Sequence, residues 1–252
     1  NMHFRDDYLS YTGSKTDFLG YDNGMRNLPV NRNQSIPGTF ENSSILTNMT
    51  DVFNKELSAK QTNSGANFDF GFTAGNQYDV GENKLGYQFS LSYKNQTQFY
   101  DDRVDGTYIK DENNTSITEL LGTRRSNGIE GKSNILLSTL AGIVYKREQA
   151  KYKLNFLHIQ NGESTAGLYN QEIAQAGGGS GFEPIKKDAL LYTERSITNL
   201  LLGGQHSFDD GDWKLDWKLS PTLSRVYDKD HRITPLQQSD NGEYFISPSA
   251  AS

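Results

Sequence analysis

The chain has 252 residues, 25 Lys and Arg against 31 Asp and Glu, and no Cys, for a net charge of -6. A hydrophobic fraction of 34% and a mean hydropathy of -0.72 leave no window near the 18 or more apolar residues of a membrane-spanning helix. The lack of Cys excludes a disulfide framework and thiolate metal sites, and the acidic balance is the wrong sign for a nucleic-acid partner, which calls for a basic face.

Residues 1–62 are dense in Asn, Asp, Gly and Ser, with Pro29 and Pro37. Gly20 and Gly24 read as turn residues, and Asp22 with Arg26 as a pair within this region. A short helix is expected near 44–57, where Ile45, Met49, Val52, Phe53 and Leu57 repeat at three- and four-residue spacing. Asn42 to Ser44 offer its N-caps.

From residue 63 the period changes to two, so successive side chains take opposite faces of an extended chain. Phe68, Phe70 and Phe72 oppose Asp69, Gly71 and Thr73. Leu85, Tyr87, Phe89, Leu91 and Tyr93 oppose Lys84, Gly86, Gln88, Ser90, Ser92 and Lys94, a run long enough for the roughly 9 to 11 residues of a tilted membrane-spanning strand. Ile135 to Tyr145 is a third strand, blurred by Leu136, Leu140 and Val144. Tyr152, Leu154 and Phe156 alternate with Lys153 and Asn155 in a fourth. In a fifth, Thr198, Leu200, Leu202, Gly204, His206 and Phe208 form one set and Arg195, Asn199, Gln205 and Ser207 the other. Trp213, Leu215, Trp217 and Leu219 oppose Lys214, Asp216 and Lys218 in a sixth.

The connections alternate in length. Gly75–Asn83, Lys146–Lys151 and Asp209–Asp212 are short; Phe99–Gly131, Gly162–Asp188 and the stretch after Asp228 are long. Aromatic residues bracket two short turns, Tyr145 with Tyr152 and Phe208 with Trp213. A transmembrane β-barrel has this asymmetry of loops, this alternation and this placement of aromatics. The competing fold is a soluble β-sandwich whose aromatics fill a core, which would make the chain a glycan-binding or adhesin module. Hairpin loops in soluble domains, however, are usually short at both ends, about 2 to 5 residues.

Residues capable of chemistry are scattered. His3, His158, His206 and His231 have no paired metal-ligand spacing. The acidic run Asp101, Asp102, Asp105, Asp111 and Glu112 lacks the order of an EF-hand and reads as a solvated loop, with calcium the alternative. Ala176 to Pro184, AGGGSGFEP, is a flexible loop without phosphate-binding context. No nucleophile and base can be paired, so the expectation is a protein that is not an enzyme and holds no cofactor or metal.

The segment Phe4–Pro29, with Leu19, Gly20, Tyr21, Asp22, Asn23, Gly24, Met25, Arg26, Asn27, Leu28 and Pro29 as its most specific run, resembles an early barrel stretch of TonB-dependent outer-membrane receptors, particularly those carrying a carboxypeptidase-regulatory-like N-terminal domain. The usual motif has Asp, Thr and Ala where Asn23, Met25 and Asn27 stand. The runs from Lys153 (KLNFLHIQNGES), Tyr192 (YTERSITNLLLGGQHSF) and Trp213 (WKLDWKLSPTLSR) are similar to later strands.

The resemblance implies an all-β, antiparallel transmembrane β-barrel segment, about six strands of a 22-stranded barrel, with long extracellular loops and one short loop helix. Residues 1–62 would be the first extracellular loop, 63–230 barrel strands with short periplasmic turns, and 231–252 the start of a further extracellular loop. Six strands cannot close in lipid, because two open edges would expose unpaired backbone groups. The chain is therefore expected to be an internal piece, with secretory signal, TonB box, plug and remaining strands outside it.

The implied function is uptake of a scarce or large substrate across the outer membrane of a Gram-negative bacterium. Implied partners are the TonB complex, the receptor's own plug, the lipid bilayer and, in some relatives, a surface lipoprotein lid. A receptor-like barrel serving as a scaffold in an outer-membrane complex is the alternative within this architecture. Lumen-facing candidates are Asp69, Gln88, Lys94, Lys153, Asn155, Arg195, Gln205, Lys214, Asp216 and Lys218. Lipid-facing candidates are Phe68, Phe70, Phe72, Leu85, Tyr87, Phe89, Leu91, Tyr93, Trp213, Leu215, Trp217 and Leu219.

Overall fold

The computed structural model describes residues 6–31, 33, 35, 43–110, 116, 118–174, 182–208, 212–239 and 241–246. Its strands are β1 (Tyr8–Ser10), β2 (Lys60–Thr62), β3 (Phe68–Val80), β4 (Asn83–Ile109), β5 (Leu121–Lys146), β6 (Ala150–Ala174), β7 (Phe182–Phe208), β8 (Trp213–Leu219), β9 (Thr222–Gln238) and β10 (Tyr244–Phe245), with a helix α1 at Ser43–Asp51. The fold is all-β. β3 to β7 pair in chain order, each antiparallel to the next, and β7 then pairs with both β8 and β9. The pairs Leu202 with Leu219 and Asn199 with Thr222 keep one register, so β8 and β9 are a single strand interrupted at Ser220 and Pro221. Proline lacks the N–H that the ladder requires.

Three expectations change. The segments Phe99–Gly131, Gly162–Asp188 and the first part of the stretch after Asp228 are not loops: β4 runs on to Ile109, β5 begins at Leu121, β6 and β7 extend to Ala174 and from Phe182, and β9 reaches Gln238. Alternation fades there because the covered face mixes Ala166, Leu190 and Tyr192 with Gly162, Ser164 and Glu194, so neither face is uniformly apolar, yet the backbone ladder pairs regardless of side chain. Similarly, β3 continues through Gly75 to Val80, and Gly81 and Glu82 alone make the turn. The helix ends at Asp51, six residues before Leu57. Of its expected apolar stripe only Met49 is buried, whereas Ile45, Val52, Phe53 and Leu57 are exposed, so no packed face sustains a longer helix. Asp111, Glu112, Asn42 and most of the 176–184 and 209–212 segments lie outside the described residues.

The register sorts the sheet into two faces. Tyr93 opposes Leu137, Leu137 opposes Gln160, Gln160 opposes Ser196, and Ser196 opposes Arg225, which puts even positions of β3, β6 and β7 on one face with odd positions of β4, β5 and β8. Every residue proposed above as lipid-facing lies on this face, and every lumen-facing candidate lies on the other.

Residues 8–26 and 56–62 pack across the far part of the first face. β1 pairs with β2 in a small separate ladder, and Leu9 and Tyr11 join Ala166, Leu190 and Tyr192 of β6 and β7 in the buried core. Two close approaches make this docking possible. A Cβ on Gly131 would lie 2.1 Å from the Leu9 carbonyl oxygen, and one on Gly162 would lie 2.6 Å from the Cα of Gly20. Gly20 itself has φ +77, a left-handed conformation that glycine adopts without steric cost.

Gly162→Val should therefore lift the 6–31 segment from the sheet while leaving the strand ladder intact. A destabilisation of about 1–3 kcal/mol, typical of overpacking, would appear as protease cleavage near Gly20 with unchanged β circular dichroism.

Candidate functional site

On the first face, no described residue lies over the part of the sheet nearest the short turns. Trp213 is 69% exposed, Leu219 58%, Phe72 55% and Phe70 53%, and Tyr87, Phe89, Ile143, Leu154, Phe156, Leu200 and Leu223 continue the patch. Soluble monomers rarely expose so large a contiguous apolar surface. At the turn end the patch is edged by aromatics: Tyr78 and Tyr87 with ring centroids 6.1 Å apart, Tyr145 paired with Tyr152, and Phe208 paired with Trp213. Leu85 to Tyr93 on β4 spans about 27 Å along the strand at the usual rise.

Tyr93 departs from the expected exposed set. It lies on the apolar face but is only 9% exposed, because its hydroxyl donates to the Phe18 carbonyl at 2.7 Å and Phe68 and Phe70 pack on its ring at 5.6 and 5.7 Å. The N-terminal segment begins at this row.

That segment is fixed by Arg26. Its guanidinium, 4% exposed, donates to both carboxylate oxygens of Asp17 at 2.6 and 2.8 Å and to Asp22 at 3.0 Å, and lies 3.9 Å from the Tyr192 ring centre. The Asp22 side chain is fully buried; its second oxygen accepts the backbone N–H groups of Gly24 and Arg26 at 2.8 and 3.2 Å. The pairing of Asp22 with Arg26 and the turn roles of Gly20 and Gly24, which have φ +77 and +98, are thus as the sequence suggested. The neighbouring Tyr11 phenol is pushed up to about 12 by burial, an effect the Arg26 charge opposes.

The opposite face carries the exposed Lys, Asp and Gln side chains, with Leu136, Ile197 and Val226 exposed among them. Gln88, Lys153 and Asn155 come together with Gln77 and Val144 around a hollow of about 320 Å³. Asp69, Lys94, Gln205, Lys214, Asp216 and Lys218 are exposed on the same face but do not converge there. Farther from the short turns lies a second concavity of about 350 Å³, lined by Arg103, Asp105, Arg124, Glu130, Lys132, Glu163, Tyr169 and Lys187 among others. At its floor Glu130, 3% exposed, accepts hydrogen bonds from Arg103 and from the Tyr169 hydroxyl. Burial, and then the Glu130 hydrogen bond and charge, hold the Tyr169 phenol well above the ordinary tyrosine range, so it stays a donor. Lys132 pairs with Glu163 at 3.3 Å, Arg124 with Asp105 at 3.3 Å, and Arg195 approaches Glu163 at 3.9 Å. Arg195 is the one lumen candidate that reaches this cluster.

Sequence reasoning missed the second concavity because its walls stand in the segments read as loops. A register shift between Tyr100 and Arg103 is also responsible: a bulge adds one residue to one strand and reverses which positions face which side. Past it, Arg103 and Asp105 fall on the charged face, opposite Gly128 and Ser126. The signal available was the density of Arg, Lys and Glu between residues 103 and 132.

No family model matches the chain, and no curated protein or solved structure is similar to it.

Replacing Arg26 with Met would leave Asp22 buried without its cation, a loss expected to cost about 3–5 kcal/mol. Arg26→Lys should recover only part of this, since a lysine supplies neither the fork to two carboxylates nor the ring stacking. Chemical denaturation of the three proteins measures the difference. Tyr169→Phe should cost about 1–3 kcal/mol by removing a donor to buried Glu130, and Tyr152→Phe, exposed at the edge of the apolar patch, should cost nothing measurable in the same titration.

Proposed function

We propose that this chain forms part of the wall of an outer-membrane β-barrel receptor that imports a scarce or large solute by coupling to TonB. The observation that carries the reading is the two-faced sheet: a bare aromatic and aliphatic band edged by aromatics, opposite a face rich in Lys, Asp, Gln and Arg. Apart from the two-residue pairing of β10 with the end of β9, the sheet edges at β3 and at β8 with β9 leave backbone groups for further strands, as closure would need. The coupling to TonB rests on the likeness of Leu19–Pro29 to that receptor family.

In this reading the bilayer covers the bare band, the charged face lines the lumen, and the concavity around Glu130 lies on the solute's side of the wall. Strands of 25 to 27 residues in β4 to β7 are far longer than a bilayer needs, so their distal parts would stand above it and carry the N-terminal segment on the outside.

The membrane part has a depth-resolved test. Phe89→Arg, near mid-band, should lower stability in phospholipid vesicles by about 2–4 kcal/mol, and Leu85→Arg, near the edge, by only about 0–1 kcal/mol. Gln88→Arg, one residue away on the other face, should be close to neutral. Equal costs at Phe89 and Gln88 would sink the reading. The transport part predicts that cells expressing the receptor lose uptake of its solute when TonB is deleted. Unchanged uptake would leave the scaffold role in its place.

A further inference from the structure

We propose that Asp17–Pro29 is an interfacial anchor, seated in the headgroup zone of the bilayer leaflet above the bare band, and that it sets how deeply the sheet inserts. The inference rests on the membrane reading and adds a lipid contact made by a segment outside the strands.

Its position is the first observation. The segment crosses the sheet at the upper edge of the bare band instead of following a strand. The Phe18 carbonyl accepts from Tyr93 of β4 at 2.7 Å, the Gly20 carbonyl from Gln160 of β6 at 2.6 Å, and the Asp22 N–H donates to Glu194 of β7. Arg26 then reaches Asp230 of β9 at 4.0 Å. One lintel thus spans the sheet beyond Phe156, Leu200 and Leu223, with only the His158 and Thr198 row between, and no described residue covers this face farther toward the short turns.

The second observation is the direction of its charges. From Asp17 to Pro29 the ionisable residues are Asp17, Asp22 and Arg26, and all three turn inward to pair with one another. The exposed positions are Phe18 at 59%, Leu28 at 55%, Met25 at 42% and Tyr21 at 37%, with Asn23 and Asn27 between them. A surface segment of a soluble protein usually points its charges outward and its aromatics inward. Here the arrangement is reversed, and it is reversed where the apolar band ends.

The third is the chemistry of the aromatic at the border. The Tyr21 hydroxyl is held by His158 Nε2 at 2.9 Å, and His158 Nδ1 by the Thr198 hydroxyl at 2.8 Å. The polar end of the ring is therefore satisfied by the protein while part of the ring remains open. Amphipathic aromatics of this kind concentrate at membrane–water interfaces, where one part is apolar and the other hydrogen-bonded. A phospholipid headgroup zone suits such a surface; bulk water would leave Phe18 and Leu28 exposed, and the acyl interior would desolvate Asn23 and Asn27.

These residues contain no Cys, so in the full receptor, with any Cys elsewhere replaced, a single Phe18→Cys carries the only spin label. The protein would be reconstituted in phosphatidylcholine vesicles, and the accessibility of the label to oxygen and to a water-soluble nickel complex compared. Leu215→Cys in the band and Lys60→Cys in β2 supply the lipid and water references. The oxygen-to-nickel ratio at Phe18 is expected to fall between those two, nearer Leu215. If Leu215 reads as lipid and Phe18 matches Lys60, the anchor is overturned and the membrane reading stands. A Phe18 label closed to both reagents means that protein covers it, which also overturns the anchor. If Leu215 itself reads as water, the membrane reading fails and the anchor with it. Met25→Cys, 42% exposed, provides the same measurement should Phe18→Cys fail to reconstitute.

Discussion

An antiparallel ladder assigns every residue to one of two faces, and a slip of one residue would exchange them. The rest of this molecule depends on that assignment staying unmixed from β3 to β9. The pairs that tie Tyr93 to Leu137, Gln160, Ser196 and Arg225 carry one parity rule across the whole sheet, so aromatics contributed by separate hairpins add up to one surface. The irregularities, at Tyr100/Arg103, Thr107/Tyr108 and Tyr192/Thr193, all lie in the distal halves of their strands. A bulge among the residues near the short turns would put charges into the aromatic band; farther away it gathers Arg103 and Asp105 beside Arg124 and Glu130.

The apolar face is divided between two coverings. Its distal part is sealed by residues 8–26 and 56–62, through Leu9 and Tyr11 against Ala166, Leu190 and Tyr192, and the seal continues on β9, where Arg232 donates to the Glu56 carbonyl and Thr234 to that of Leu57. Its proximal part has no such cover. Arg26 holds the border between them. Burying a guanidinium costs several kcal/mol unless carboxylates and hydrogen bonds compensate, and Asp17, Asp22 and the Tyr192 ring do so together. The same pairing that stabilises the loop also leaves its outer surface without charge, so a folding requirement and an outward-facing property arise from one set of contacts.

Much of the proximal sheet was legible from residues alone. Where one face is apolar and the other charged, as in Leu85–Tyr93 or Trp213–Leu219, period two is visible and the residues sort correctly. It failed where neither face is uniformly apolar. Glu163, Thr165 and Tyr169 on β6 face opposite to Ser164, Ala166 and Leu168, but neither set is distinctly apolar, and the strand read as a loop. Tyr93 shows the converse limit: alternation put it on the correct face but could not reveal that a loop from the other end of the sequence would cover it. The charged concavity was illegible because its members converge from four strands through a bulge that has no residue signature.

The sequence by itself determined the strands near the short turns, which face each side chain takes, the turn residues Gly20 and Gly24, and the pairing of Asp22 with Arg26. These are local matters, set by alternation, φ preference and a four-residue separation. Tertiary structure alone decided that the strands run on through the expected loops, that residues 8–26 and 56–62 lie over one face of the sheet, and that Arg103, Glu130 and Tyr169 share a cavity. Those outcomes depend on backbone pairing, which is indifferent to side chains, and on contacts between residues more than a hundred positions apart, such as Gly20 with Gln160, which no periodicity encodes.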